Sequence, residues 1–134
     1  MKKTYRGSCH CKAITFEADL DLSQGTGKCN CSYCWKVRNW SAHVKPDDLR
    51  VTSGEDALVK YSFGTKQGEH LFCRHCGVRP FGRGDIPEMG GAFATIVLAA
   101  LDDLDPAELA EAPVKYFNGR DNDWWHEPAE KRHL

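Results

Sequence analysis

The chain has 134 residues, of which 41% are hydrophobic and 28% are charged, a composition typical of one soluble globular domain over 1–134. A formal net charge of −1 disfavours a nucleic-acid partner, because such binding usually needs a basic surface. The N-terminal segment lacks the apolar stretch of a signal peptide, and the apolar run near 92–101 is too short to cross a bilayer, so we expect a cytoplasmic protein without a membrane partner.

The first half of the chain is predicted to form short strands. Residues 13–20 alternate between apolar and polar side chains, which is typical of a half-buried strand. Further strands are predicted at 39–44, 49–52 and 58–63, separated by turns rich in glycine, serine, proline and aspartate.

The second half begins with a predicted hairpin, whose strands are 70–73 and 78–81. The glycine-rich segment 82–91 is predicted to be a mobile loop, and 93–98 a buried strand. One short helix is expected at 106–111, with Asp105 as its N-cap, followed by a short strand and a tryptophan-rich tail over 115–134. The predicted class is therefore mainly β, with zinc sites, argued below from the cysteines, replacing part of the core.

All seven cysteines fall into three tight groups, Cys9-x-Cys11, Cys29-x-Cys31-x-x-Cys34 and Cys73-x-x-Cys76. Disulfides are disfavoured in the cytosol and an odd count fits them poorly, so the cysteines are interpreted as metal ligands. Four thiolates close a tetrahedral zinc site, whereas three leave one coordination position open. The seven cysteines thus suggest one structural and one open zinc site.

The spacing favours a closed site formed by Cys9, Cys11, Cys73 and Cys76. Cysteines two residues apart on an extended segment point to the same side, so Cys9 and Cys11 can bind one metal. The Cys73-x-x-Cys76 turn supplies the other two ligands, and the following glycine permits a tight turn.

The remaining group, Cys29, Cys31 and Cys34, can occupy three corners of a tetrahedron. Water, a substrate thiolate or a carbonyl oxygen would take the fourth corner. Two alternatives remain open from the residues alone. A histidine could complete a second structural site, with His43, His70, His75 and His126 as candidates, or the three cysteines could be redox thiols.

Three motifs carry a resemblance to a known family: Gly7-Ser-Cys-His-Cys11, Cys29-Asn-Cys-Ser-x-Cys34 and Phe72-Cys-x-x-Cys-Gly-Val-Arg-Pro-Phe81. Together with Leu101-Asp-Asp-Leu-Asp-Pro106 they resemble the glutathione-dependent formaldehyde-activating enzyme family, which includes centromere protein V-like zinc domains. The resemblance implies a β-tent fold of small antiparallel sheets, with a structural zinc on Cys9, Cys11, Cys73 and Cys76.

The same resemblance implies a catalytic zinc on Cys29, Cys31 and Cys34. The implied activity is that of an S-hydroxymethylglutathione synthase, a carbon–sulfur lyase. The alternative is a non-catalytic zinc-binding module, either a glutathione carrier or a protein-interaction domain. Zinc knuckles that bind nucleic acid are disfavoured by the charge balance.

Glutathione has two carboxylates, so its site should contain cations near the open zinc. The candidates are Lys36 and Arg38, which follow Cys34, together with Arg74 and Arg79 beside the last cysteine pair. We assign Lys36, Arg38 and Arg79 as glutathione-binding residues. Trp35 and Trp40 are expected in the core, and Trp124 and Trp125 are expected to pack against its edge.

Overall fold

A computed structural model describes all residues from 1 to 134. It contains ten strands, two short α-helices and several 3-10 turns. The strands are β1 (Lys3–Ser8), β2 (Thr15–Leu20), β3 (Thr26–Cys29), β4 (Trp40–Val44), β5 (Leu49–Ser53), β6 (Leu58–Tyr61), β7 (Gly68–Cys73), β8 (Phe81–Ile86), β9 (Gly91–Val97) and β10 (Val114–Phe117). The helices are α1 (Ser32–Val37) and α2 (Pro106–Glu111).

The strands form two sheets, which confirms the mainly β prediction. The smaller sheet has three strands in the order β1-β2-β5, and the larger has seven in the order β10-β3-β4-β9-β8-β7-β6. Neighbouring strands run antiparallel, except that β10 lies parallel to β3. Neither helix has the length and apolar character needed to span a membrane.

One hydrophobic core of 18 buried residues includes residues from both sheets. Strand β2 buries alternate residues, including Phe16, as its sequence pattern predicts. The Phe16 ring meets Phe81 of β8 edge-on, with ring centroids 5.2 Å apart and an interplanar angle of 78°. This edge-to-face contact is a favourable aromatic geometry and joins the two sheets at the centre of the molecule.

The prediction of a single helix was incomplete. Helix α2 is present, and the Asp105 carboxylate accepts a hydrogen bond from the Ala107 amide, as expected of an N-cap. The additional helix α1 begins after Cys31, whose Sγ accepts a hydrogen bond from the Cys34 amide at 3.3 Å. Its six residues include tyrosine, tryptophan and valine, which have modest helix propensity. Its start therefore depends on a cysteine cap, which the residue pattern did not reveal.

The predicted mobile loop at 82–91 was wrong. Strand β8 occupies 81–86, β9 begins at Gly91, and a short turn connects them. A Cβ atom on Gly82 would lie 2.8 Å from Thr95 Oγ1, and one on Gly84 would lie 2.4 Å from the Phe93 ring. These two glycines permit close packing within a sheet, whereas the sequence analysis interpreted them as a sign of a flexible segment. The hairpin at 70–81 is present, but its second strand starts only at Phe81, after Pro80.

The N-terminal strand β1, which the sequence pattern did not predict, is joined to α2 by a side-chain contact. The Tyr5 hydroxyl donates a hydrogen bond to Glu108 Oε1 at 2.5 Å, and Tyr5 is only 4% exposed. This hydrogen bond lowers the pKa of Glu108, and burial raises the pKa of Tyr5. The contact links residues far apart in the sequence.

Candidate metal centres and substrate cleft

The first candidate centre is the four-cysteine cluster, formed by Cys9, Cys11, Cys73 and Cys76. Its sulfur atoms all lie within 4.8 Å of one another. Cys11 Sγ lies 3.7 Å from both Cys9 Sγ and Cys73 Sγ. Zinc–sulfur bonds of about 2.3 Å in a tetrahedron would place neighbouring sulfurs roughly 3.8 Å apart. The cluster therefore has the spacing of a tetrahedral thiolate site.

Backbone amides surround these sulfurs. The Ile14 amide donates to Cys9 Sγ at 3.3 Å, and the His75 amide donates to Cys73 Sγ at 3.4 Å. Backbone N–H groups of Cys11 and Val78 lower the pKa of the Cys76 thiol to about 6. Hydrogen bonds to sulfur favour the thiolate, which is the form that binds a metal.

The four-cysteine cluster also connects the two sheets. Cys9 and Cys11 follow β1 of the three-stranded sheet, whereas Cys73 ends β7 of the seven-stranded sheet. Cys9 and Cys73 are almost fully buried, at 1% and 0% exposure. A metal bound here would cross-link the two sheets.

The second candidate centre is the three-cysteine cluster of Cys29, Cys31 and Cys34, whose sulfurs also lie within 4.8 Å of one another. Cys29 ends β3, Cys31 caps α1, and Cys34 lies within that helix. The Cys31 amide donates to Cys29 Sγ at 3.4 Å. The local strand-to-helix turn therefore brings all three sulfurs to one point.

No histidine nitrogen or carboxylate oxygen belongs to this second group of ligand atoms. The alternative in which His43, His70, His75 or His126 completes the site is therefore not realised in the structure. His126 instead lies beside Asp123, with Nδ1 3.0 Å from the carboxylate. The three sulfurs are therefore the only candidate ligand atoms in this group.

The three thiols interact strongly with one another. Hydrogen bonds from the thiols of Cys29 and Cys34 lower the pKa of Cys31. Hydrogen bonding to Cys29 and Cys31, together with burial, raises the pKa of Cys34.

The segment after β10 covers the three-cysteine cluster. The buried Asn30 side chain donates to Asn118 Oδ1 at 3.0 Å and accepts from the Arg120 amide at 2.9 Å. Between these contacts, Gly119 lies against Cys29, where a Cβ atom would fall 2.6 Å from the sulfur. Sequence reasoning missed Asn30, Asn118 and Gly119, although the Asn-Gly pair is a recognisable turn signal.

A cavity of about 240 Å³ opens beside this cluster. It is lined by Lys28, Cys29, Cys34, Trp35, Arg38, Asn39, Trp40 and Leu134. Lys28 and Arg38 make it cationic, and the ammonium of Lys28 lies 4.6 Å from the centre of a Trp40 ring. The Arg38 guanidinium donates to the His133 carbonyl oxygen at 2.5 Å. We call this cavity the cationic cleft. Lys28 was not among the sequence candidates.

Arg79, beside the other cysteine turn, does not line the cleft but contacts one of its lining residues. Its Nη1 donates to Asn39 Oδ1 at 3.3 Å, and its guanidinium lies 5.1 Å from the Tyr33 ring centroid. Its Nε is buried without a hydrogen-bond partner. Lys36 is exposed on α1 and does not line the cleft either, and Arg74 is also exposed.

The tryptophans differ from expectation. Trp40 packs against the core as predicted, but Trp35 is 42% exposed, so its assignment to the core was wrong. The Arg120 guanidinium lies 4.9 Å from the Trp35 ring, so this ring packs against the tail. Trp124 approaches Gly119, whereas Trp125 is 89% exposed.

The fold and both centres define a mainly β protein with two cysteine clusters that can each hold a metal ion. A family model described as glutathione-dependent formaldehyde-activating enzyme matches residues 4–119. The chain belongs to this family, as its motifs predicted. It is also similar to a Rhodobacter sphaeroides protein of known crystal structure, with 31% sequence identity and a TM-score of 0.68. The match covers 82% of this chain and 99% of that one.

Proposed function

We propose that this protein is a zinc-dependent carbon–sulfur lyase that acts on or binds a glutathione–aldehyde adduct, as an S-hydroxymethylglutathione synthase does. The observation that carries the proposal is the three-cysteine cluster, which has no fourth protein ligand and opens beside a cationic cleft. Membership of a family named for glutathione-dependent formaldehyde activation supports the same reaction class.

Both clusters offer only cysteine sulfurs, which are suitable ligands for zinc. Soft thiolates in tetrahedral spacing favour zinc over the harder divalent cations. Cys9, Cys11, Cys73 and Cys76 would hold a structural zinc, and Cys29, Cys31 and Cys34 a zinc with an open position. All seven cysteines are free of disulfides, which accords with a cytoplasmic protein. A zinc ion at the open site supplies a Lewis acid that lowers the pKa of a bound thiol.

The reaction joins the thiol sulfur of glutathione to the carbonyl carbon of an aldehyde. The thiol proton moves to the former carbonyl oxygen, and the reverse step breaks the carbon–sulfur bond. The protein's part is to hold the thiol, exclude competing ligands and orient the tripeptide. Orientation of this kind can contribute much of an enzymatic rate enhancement.

We assign the two carboxylates of glutathione to Arg38 and Arg79, with Lys28 as a further cation in the cleft. Arg38 and Lys28 line the cavity beside Cys29 and Cys34. Arg79 donates a hydrogen bond to Asn39, which lines the cleft, so its guanidinium can bind a second carboxylate at the rim. Lys36, on the exposed face of α1, would contribute only a long-range attraction.

The cleft volume of about 240 Å³ is below the roughly 300–1,000 Å³ of common ligand pockets. We therefore expect the thiol and one carboxylate to enter the cleft, while the rest of the tripeptide lies across its rim.

The test is calorimetric titration of the two-zinc protein with glutathione and with its formaldehyde adduct. Arg79→Gln should weaken binding by roughly tenfold, because a charged hydrogen bond to a carboxylate is lost. Arg74→Gln is the matched control, since it removes an exposed cation from the same cysteine turn. Cys31→Ser should abolish binding while the fold survives.

The absence of any binding by the two-zinc wild-type protein would contradict the proposal. Exchange spectroscopy on the glutathione–formaldehyde equilibrium then separates an enzyme from a carrier. Acceleration of the exchange that is lost in Cys31→Ser supports a lyase, whereas binding without acceleration supports the glutathione carrier.

A further inference from the structure

A second feature beside the three-cysteine cluster is a group of four aromatic side chains, which we call the aromatic wall. The Tyr33 and His70 ring centroids lie 3.9 Å apart, and Phe63 stacks on His70 at 5.7 Å with an interplanar angle of 15°. Tyr61 stacks on Phe63 at 6.0 Å. None of these four rings belongs to the hydrophobic core.

The outer part of this wall faces solvent. Tyr61 is 49% exposed and Phe63 is 41% exposed, although both rings are large and apolar. Covering such rings is favourable because it removes apolar area from water and allows ring stacking. An exposed aromatic patch of this kind commonly marks a binding surface.

The aromatic wall adjoins the proposed reaction centre. Tyr33 lies on α1 between Cys31 and Cys34, so one ring of the wall is in the same helical turn as two candidate ligands. The Arg79 guanidinium packs over this ring at 5.1 Å. The charge of Arg79 disfavours a positively charged ligand at this end of the wall.

We propose that the aromatic wall binds the substituent of the aldehyde, and that this substituent is an aryl or other flat conjugated group. The inference rests on the proposed function, because it places the adduct at the three-cysteine cluster. A formaldehyde adduct carries only hydrogen where the substituent would be, and it would leave the wall uncovered. An aryl aldehyde would place its ring against the exposed part of the wall, at Tyr61 and Phe63.

The chemistry is unchanged by this substituent. The thiol sulfur forms a bond to the carbonyl carbon, the carbon–oxygen π bond breaks, and the thiol proton moves to oxygen. No oxidant or reductant is required. The aryl ring takes no part in the bond changes, so the wall determines which aldehyde binds.

The experiment compares three ligands with the two-zinc protein by calorimetry: glutathione, S-methylglutathione and S-benzylglutathione, the last two being stable analogues of small and aryl adducts. We expect S-benzylglutathione to bind roughly tenfold more tightly than S-methylglutathione. Phe63→Ala should remove most of this difference without changing the affinity for glutathione. Met89→Ala is the matched control, because Met89 is 69% exposed on the β8–β9 turn, outside the wall.

Three results would overturn the inference. Equal affinity for the methyl and benzyl ligands would show that the wall does not recognise the substituent. Equal weakening of all three ligands by Phe63→Ala would show that the wall contacts the tripeptide. A dimer seen by sedimentation and lost in Phe63→Ala would assign the wall to self-association, since β6 is an edge strand. Failure of glutathione itself to bind would instead contradict the proposed function.

Discussion

Gly119 lies so close to Cys29 that a Cβ atom on residue 119 would fall 2.6 Å from the Cys29 sulfur. The same atom would fall 2.8 Å from the Trp124 ring. Because such distances are far below van der Waals contact, only glycine permits the tail to approach the three-cysteine cluster. Gly119 thus helps to position Cys29, a candidate metal ligand, without being a ligand itself.

Gly119→Ala should therefore weaken metal binding at the three-cysteine cluster. Residues that support metal ligands typically affect affinity by about 10–100-fold, and we expect a loss in this range. Zinc content after dialysis should fall from two equivalents toward one. The control is Gly68→Ala, because a Cβ atom on Gly68 would meet no atom within 4 Å. Two equivalents retained in Gly119→Ala would contradict the role assigned to this glycine.

The two centres should lose metal at different rates. The four-cysteine cluster offers four candidate ligands and includes two buried cysteines, whereas the three-cysteine cluster offers three and borders a cleft. A chelator should remove roughly one zinc equivalent while the circular dichroism spectrum remains native. A colorimetric zinc assay during the titration provides the measurement. Simultaneous release of both metals with global unfolding would be the contrary result.

Substitutions in the two clusters should have different structural effects. Cys73→Ser removes a ligand that joins the two sheets, and structural zinc contributes about 10–16 kcal/mol of apparent binding free energy in small domains. We expect insoluble or unfolded protein. Cys31→Ser should keep the fold, because its cluster spans six residues and serine also caps helices well. Thermal unfolding of both variants tests this contrast, and a normal melting temperature for Cys73→Ser would refute the structural assignment.

The Tyr5–Glu108 hydrogen bond should make stability depend on pH. It lowers the pKa of Glu108 in the folded protein, so its contribution is present above the unfolded pKa and is lost as pH falls through the folded value. Tyr5→Phe should lower the melting temperature at neutral pH by roughly a few degrees. This difference from wild type should shrink below about pH 4.

Tyr61→Phe is the control for this measurement, since its hydroxyl belongs to a half-exposed side chain. Because acid also protonates the cysteine thiolates in every variant, the informative quantity is the difference between variant and wild type at each pH. A Tyr5→Phe difference that stays constant from pH 7 to below pH 4 would show that Glu108 is not involved.

Local spacing was enough to predict much of the candidate chemistry. The two- and three-residue separations among cysteines bring sulfurs together within a turn or along one strand face, and the structure places them accordingly. Alternation in β2 predicted a half-buried strand, and Asp105 with Pro106 predicted the start of α2. These features depend on neighbours in the sequence, so the sequence reveals them.

Glycine-rich segments were the main source of error. Gly82 and Gly84 lie in strand β8. These positions are glycine because Thr95 and Phe93 of the adjacent strand leave no space for a side chain. That crowding comes from residues across the sheet, and local composition does not record it. Helix α1 was missed for a related reason, because its start depends on a cysteine sulfur acting as a cap.

The sequence by itself determined the family, the mainly β class and the division of seven cysteines into four and three. Only the tertiary structure decided what surrounds the open cluster. Lys28, Gly119 and the aromatic wall come from separate segments that pairing between strands brings together. Such contacts arise from long-range packing, so spacing along the chain could not predict them.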